Sequence, residues 1–204
     1  MSKKPIIVFE GIEGSGKTFH LDNVSNYLKR KKIPFLKIRE PGGSKNSEII
    51  RKLILNNKSS FNKNTDLLLY LSARSENIEL IKKNYKKKII LIDRFIDSTI
   101  AYQHYGMGVE YSIINQINKF LLKDIKVNFT FLNTVNHKNM ILRLKQRKRL
   151  NRYDKFDASF YNKVQRGFIN LMKKKKKNSF MIIDSNKPIN DNKEIVLRKI
   201  DKLI

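Results

Sequence analysis

Cysteine is absent from the 204-residue chain, which excludes disulfides and thiolate-bound metals and suits a reducing cytosol. No apolar run approaches the roughly 20 residues that span a bilayer, so no membrane partner is expected. No charged-then-apolar leader with a small-residue cleavage site is seen, and the expectation is a soluble cytoplasmic protein. Internal repeats and Pro-, Ser- or Gly-rich linkers are missing as well. The length and the 40% hydrophobic share therefore fit one domain over residues 1–204, with room for a mobile lid. Acidic residues are scarce: 18 Asp and Glu face 44 Lys and Arg, a formal charge of +26. Nucleic acid is one reading of that charge. The lysines are spread along the chain rather than gathered in a stripe, beside plentiful Asn and Ile. A compositional bias explains this better, and a nucleic-acid partner is not expected. The lysine runs at 86–88 and 173–177 suit solvated helix ends.

Short apolar runs alternate with longer amphipathic stretches. Strands are expected over 6–9, 35–38, 89–92, 127–132 and 180–183. Helices are expected over 17–31, 47–55, 65–84, 97–104, 110–122, 136–150, 156–175 and 191–203. The run at 89–92 is apolar throughout, as in a strand covered on both faces. Strands separated by helices imply parallel crossovers, hence an α/β fold with a five-stranded parallel sheet and helices on both faces.

Gly11-Ile12-Glu13-Gly14-Ser15-Gly16-Lys17-Thr18 matches G-x-x-x-x-G-K-[ST], with a strand expected before it and a helix after it. Glycines let the backbone wrap and aim its N–H groups at phosphate oxygens, and the helix N-terminus adds partial positive charge. Lys17 can neutralise the β and γ oxygens of ATP, and the Thr18 hydroxyl can ligate Mg²⁺. Such a loop serves ATPases, GTPases, kinases and DNA motors alike, so the reaction must be read elsewhere.

Further constellations lie where open α/β sheets bind ligands, after the strands' C-terminal ends. Arg39-Glu40-Pro41-Gly42-Gly43 reads as a close backbone approach to a ligand, or as an ordinary turn. In Asp93-Arg94-Phe95-Ile96-Asp97-Ser98-Thr99-Ile100-Ala101-Tyr102-Gln103, the strand-end Asp93 is placed to hold Mg²⁺ and Arg94 to bridge phosphates. Tyr70 and Arg74, at i and i+4, share a helix face and could stack a base and clamp a phosphate. Taken alone, that spacing is better explained by a core tyrosine beside a solvated arginine.

Together, in order and separation, these segments resemble the thymidylate kinase family, whose Glu-Pro-Gly-Gly and Asp-Arg-Phe-x-Asp-Ser-x-x-Ala-Tyr-Gln signatures are specific among nucleotide kinases. The resemblance covers essentially the whole chain, through Asn151-Arg152-Tyr153-Asp154 and the late 183–188 segment. It implies a P-loop nucleoside monophosphate kinase-like fold, a homodimer, and transfer of the ATP γ-phosphoryl to dTMP for dTTP biosynthesis. It also implies roles. Glu13 would meet the sugar 3′-hydroxyl, Tyr70 would stack on thymine, and Arg74 and Arg94 would hold the acceptor phosphate. Thr99 and Gln103 would bond the base, Tyr102 would pack beside the deoxyribose, and Arg51 would reach the base edge. Glu40 and Pro41 would border the same substrate, and the loop at 185–188 would lie against adenine.

Arg143, Arg147, Arg149 and Arg152 cluster in a segment, about 143–155, expected to act as a closing lid. The phosphate loop itself carries no arginine. The resemblance implies that such members draw catalytic guanidinium charge from the lid, which points to Arg147, Arg149 or Arg152. The chain departs from the family at Phe19, where a second threonine is usual. His104 and Met107 replace a glycine and an arginine, and Asn133 replaces an aspartate. His104 is read as a partly exposed helix residue rather than a proton shuttle. Rival readings are another nucleotide kinase, a nucleic-acid-stimulated ATPase, and a catalytically silent nucleotide sensor.

Overall fold

The computed structural model describes residues 4–147 and 150–204. Strands β1 (Ile6–Gly11), β2 (Phe35–Arg39), β3 (Ile89–Asp93), β4 (Phe129–Thr134) and β5 (Phe180–Asp184) form one parallel sheet in the order β2-β3-β1-β4-β5. The five expected strands are all present. The central strands β1, β3 and β4 are buried along nearly their whole length, which is why their sequences are apolar runs. The edge strands β2 and β5 are half exposed and tolerate Lys37 and Asp184.

Alternation along β1 divides the core. Ile7 and Phe9 face α1 (Lys17–Arg30) and α8 (Ile189–Asp201) through Leu21, Val24, Leu28, Val196 and Ile200. Phe9 stacks on Phe131 of β4 with ring centroids 5.1 Å apart. Ile6 and Val8 face Ile78 and Ile81 of α3 (Lys63–Asn84) on the other side, so helices cover both faces. The α2 helix (Lys45–Leu55) precedes α3 and packs against it. No helix among the described residues is long and apolar enough to cross a membrane.

Side-chain caps start several helices: Ser44 for α2, Asn62 for α3, Asn136 for α6 (His137–Lys145) and Asp157 for α7 (Ala158–Lys173). The exception that matters is α1. It begins at Gly16, with no side-chain cap and no acid in its first turn, so its N–H groups stay open to an anion.

Three stretches differ from expectation. β4 lies two residues later, because its ladder with β1 pairs Ile7 with Phe129 through Gly11 with Asn133. Val127 packs against the core just ahead of the strand. The helix expected over 136–150 ends at Lys145, since no apolar residue follows Leu144 until the half-exposed Leu150. The helix expected over 97–104 is a short α-turn, α4 (Ile96–Thr99), that widens into a π-helical stretch at Ile100–Gly106. The wider turn buries Ile100, Ala101, Tyr102 and Gln103 in succession, more than one face of a regular helix could bury. Tyr111–Leu122 forms α5.

His20 of α1 is buried, and its Nδ1 has no hydrogen-bond partner among the described residues. Burial pushes its pKa down to about 4 from the usual 6.5. Between those values the unfolded chain binds the extra proton, so this group's contribution to stability is lost as pH falls below about 6.5. Urea unfolding at pH 7.5 and pH 5 should show the wild type losing about 2 kcal/mol more than His20→Gln. Equal losses would refute a buried neutral imidazole.

Candidate active site

The strand ladder assembles the site at one edge of the sheet. Asp93 pairs with Phe9 of β1 and Arg39 of β2, so the turns after β1, β2 and β3 emerge side by side. Gly11 is required by close approach: a Cβ there would sit 2.2 Å from the Asn133 carbonyl oxygen. Gly16 has φ +84°, a conformation that costs glycine little and lets the chain turn directly into α1. Lys17 Nζ donates to the Ile12 carbonyl at 2.9 Å, folded back over the loop. Its pKa is pushed down to about 8, first by burial and then by the nearby Arg94 charge. Thr18 Oγ1 donates to Asp93 Oδ2 at 3.0 Å, while Asp93 Oδ1 is buried with no hydrogen-bond partner among the described residues.

Arg94 has φ +65° and crosses from β3 to the phosphate loop. Its Nη1 donates to the Gly11 carbonyl at 2.8 Å and its Nη2 to Glu13 Oε1 at 2.7 Å. The guanidinium also lies over the Tyr102 ring, 5.1 Å from its centroid, and the Tyr102 hydroxyl donates to Glu13 Oε2. Burial alone would raise the Glu13 pKa, but Arg94, Lys17 and the Tyr102 hydroxyl outweigh it and hold the carboxyl below its usual range. These groups border a cleft of about 290 Å³. Its far side carries Pro41, Arg51, Tyr70, Arg74, Thr99 and Gln103, so the expected acceptor residues share one cavity. Arg51 Nη1 donates to the Pro41 carbonyl at 2.5 Å. The Tyr70 ring stands edge-on to Tyr153 at 5.9 Å, and burial pushes its hydroxyl up to about 12.

Arg74 is not solvated; it is among the most buried side chains, 1% exposed. Its Nε donates to Glu40 Oε2, its Nη1 to Asn118 Oδ1 and its Nη2 to Thr99 Oγ1, at 2.8, 2.7 and 2.8 Å. Little of its fork is left for a ligand. Glu40 therefore stands behind Arg74, and burial raises its pKa despite the arginine's opposing charge. Gln103 Nε2 donates to Asp66 Oδ2 at 3.1 Å. Asp66, Asn77 and Asn118 do not belong to any motif and were missed by sequence reasoning. A signal exists for two of them: Asp66 and Asn77 recur at helical spacing with Leu67, Leu71, Ile78 and Ile81, the buried stripe of α3.

The expected lid arginines part company. Arg143 Nη1 donates to the Gly14 carbonyl at 2.9 Å and Nη2 to the Ser185 carbonyl at 2.6 Å, tying the loop after β5 to the phosphate loop. Arg147 lines the cleft, pairs with Asp154 at 2.7 Å and is 40% exposed. Arg152 turns away, to the Ile54 carbonyl and Asp66. Arg149 lies outside the described residues. Asn151 and Asp154 form a capping box that shapes the short turn at Arg152–Lys155.

The chain is similar to known proteins. The thymidylate kinase family model matches residues 9–196. The thymidylate kinase of Thermosipho africanus is 37% identical over 91% of this chain and 92% of its own. That of Onion yellows phytoplasma is 35% identical over 97% of each. The crystal structure of thymidylate kinase from Ehrlichia chaffeensis superposes with a TM-score of 0.77 at 31% identity, covering 98% of this chain and 99% of that one. With the family model matching residues 9–196 and relatives this similar over nearly their whole length, the chain belongs to the thymidylate kinase family.

Proposed function

We propose that this chain transfers the γ-phosphoryl group of ATP to dTMP, giving dTDP and ADP, and thereby feeds dTTP biosynthesis. The observation that carries the reading is the Glu13 bridge. An acid inside the phosphate loop is paired with Arg94 and Tyr102 of the opposite wall, so a donor loop and an acceptor cleft form one site.

The backbone of Gly11, Ile12, Glu13, Gly14, Ser15 and Gly16 cradles the ATP phosphates, with Lys17 against the β and γ oxygens. Thr18 and Asp93 suit Mg²⁺: both offer hard oxygens, they touch each other, and one carboxylate oxygen is buried without a partner among the described residues. When bound, the ion would neutralise the β- and γ-phosphate oxygens. The loop at 185–188, held near Gly14 through Arg143, borders the adenine.

On the acceptor side Tyr70 packs on thymine, Glu13 meets the 3′-hydroxyl and Tyr102 lies beside the deoxyribose. Arg51 and Pro41 border the substrate, while Thr99 and Gln103 present polar groups to the base. Arg94, rather than the heavily engaged Arg74, supplies the principal grip on the acceptor phosphate, and Arg74 keeps at most a single contact. That phosphate is already negative, so no general base is needed, and catalysis is positioning and charge neutralisation.

The segment at about 143–155 acts as a lid on the single domain, and Arg147 is its catalytic arginine. Arg152 is instead the partner of the buried Asp66. Arg147→Ala should lower kcat by about 10³-fold with little change in thermal stability. Arg152→Ala should cost about 3 kcal/mol of stability by stranding Asp66, with a much smaller effect on kcat. The reverse pattern in stopped-flow and melting measurements would overturn the assignment.

A cytoplasmic location, where ATP and dTMP are met, belongs to the same proposal, as does a homodimer. Support for the dimer comes from large apolar side chains exposed on neighbouring helices: Ile49 and Leu53 of α2, Leu68 of α3 and Phe120 of α5. Light scattering should return twice the 24.1 kDa chain mass; a monomer at micromolar concentration would sink that part. The direct test of the activity is phosphorylation of dTMP, dUMP, dCMP and GMP with ATP and Mg²⁺. A clear preference for dTMP is expected, and no preference would remove the assignment.

A further inference from the structure

Glu10 is the penultimate residue of β1, fully buried, and does not line the cleft. Its Oε1 accepts the backbone N–H of Phe95 at 2.9 Å and of Ser98 at 3.2 Å, and its Oε2 accepts the Ser98 hydroxyl. The segment so gripped begins one residue after Arg94. Arg94 holds φ +65°, which costs a non-glycine residue free energy that its surroundings must offset. Upstream, the Arg94 backbone N–H donates to the Phe9 carbonyl at 3.0 Å. Downstream, the clamp is the Glu10 side chain from the same strand. Arg94 is thus held on both sides by β1, the strand that also leads into the phosphate loop.

The charges around the clamp fit a fixed role. Asp97 faces Glu10 from the gripped turn, and Lys175 pairs with Asp97 while donating to Thr130 Oγ1 at 3.0 Å. Burial, and then the Asp97 charge, push the Glu10 carboxyl up to about 7 against the pull of Ser98, the Phe95 N–H and Arg94. A carboxylate so costly to bury is retained where several donors depend on it.

We infer that Glu10 is a positioning residue. By holding the Phe95 and Ser98 N–H groups and the Ser98 hydroxyl, it fixes Arg94 in the left-handed conformation that aims its guanidinium across the phosphate loop. The inference rests on the reading that Arg94 grips the acceptor phosphate. Glu10 acts through Arg94 and touches no substrate.

A double-mutant cycle separates the two claims. Glu10→Ala should lower kcat/KM for dTMP by about 10- to 100-fold, because it strands buried donors and frees the turn. The KM for ATP should change little. Glu10→Gln should recover activity to within about threefold, since the amide oxygen can accept both N–H groups and its NH₂ can donate to Ser98 Oγ. In an Arg94→Ala background, Glu10→Ala should cause no further loss. Full activity in Glu10→Ala, or an undiminished loss on top of Arg94→Ala, would overturn the positioning role. Full activity of Arg94→Ala itself would overturn the phosphate reading instead. If Glu10→Ala does not fold, Ser98→Ala completes the cycle, with a loss of about 3- to 10-fold that must also vanish in the Arg94→Ala background.

Discussion

One guanidinium joins the two halves of this site. Arg94 spans from the end of β3 to the Gly11 carbonyl and the Glu13 carboxylate. Most of what surrounds it serves to make that crossing tolerable. The arginine is largely buried, 18% exposed at its side chain, so an unpaired charge there would be costly. Glu13 supplies the countercharge, and the Tyr102 ring and hydroxyl close the arrangement from the π-helical stretch. The unusual helix geometry at Ile100–Gly106, the left-handed Arg94 and the acid in the phosphate loop are parts of one solution to the same electrostatic problem.

The end of the cleft around Arg74 is built on a different principle. Arg74, Glu40, Thr99, Asn77 and Asn118 come from α3, α5 and the turns after β2 and β3, and they satisfy one another before any ligand arrives. Such a network rigidifies its members, and each deletion leaves a buried partner unsatisfied. Rigidity is useful where a base must be told from its relatives by a few hydrogen bonds, because a group already locked in place cannot adapt to the wrong edge. Asn118 Nδ2 remains buried without a partner among the described residues, a small cost carried by the network for holding Arg74.

The fold was legible because its strands are short apolar runs bounded by turn residues, and central burial shows directly in the composition of 89–92. The phosphate loop was legible because its chemistry demands particular residues at fixed spacing. What could not be read was whether a charged side chain is spoken for. Tyr70 and Arg74 share a helix face in any reading of the sequence, but only packing reveals that Arg74 is buried and engaged on three sides. Likewise Arg147 and Arg152 look alike in a basic stretch, and their difference lies in Asp66, an acid 86 residues away from Arg152 along the chain. Helix ends failed where composition gave no boundary, as after Lys145. The widened turn at Ile100–Gly106 has no local sequence signature, because it is set by what must be buried.

The formal charge of +26 takes on a different weight once the site is drawn. Lys17, Lys37, Arg39, Arg51, Arg74, Arg94 and Arg147 border the cleft together, and the acids there are Glu13, Glu40 and Asp93. The cleft holds only a small part of the total surplus. That part shows in Lys17, where burial and the neighbouring Arg94 hold the pKa near 8, and Arg147 adds to the same effect. A triphosphate and a monophosphate together bring more negative charge than these cations hold as surplus, and in a desolvated site each favourable pair strengthens as water leaves. Arg147 is half-exposed and lines the cleft, so in the proposed reaction it can turn to a phosphoryl oxygen, and the buried Asp154 it leaves keeps two hydrogen bonds from Asn151. Arg152 cannot do so without abandoning Asp66 to the interior. The two arginines of one basic stretch therefore differ in where they point, Arg147 into the cleft and Arg152 to Asp66 in the interior, and not in the stretch itself.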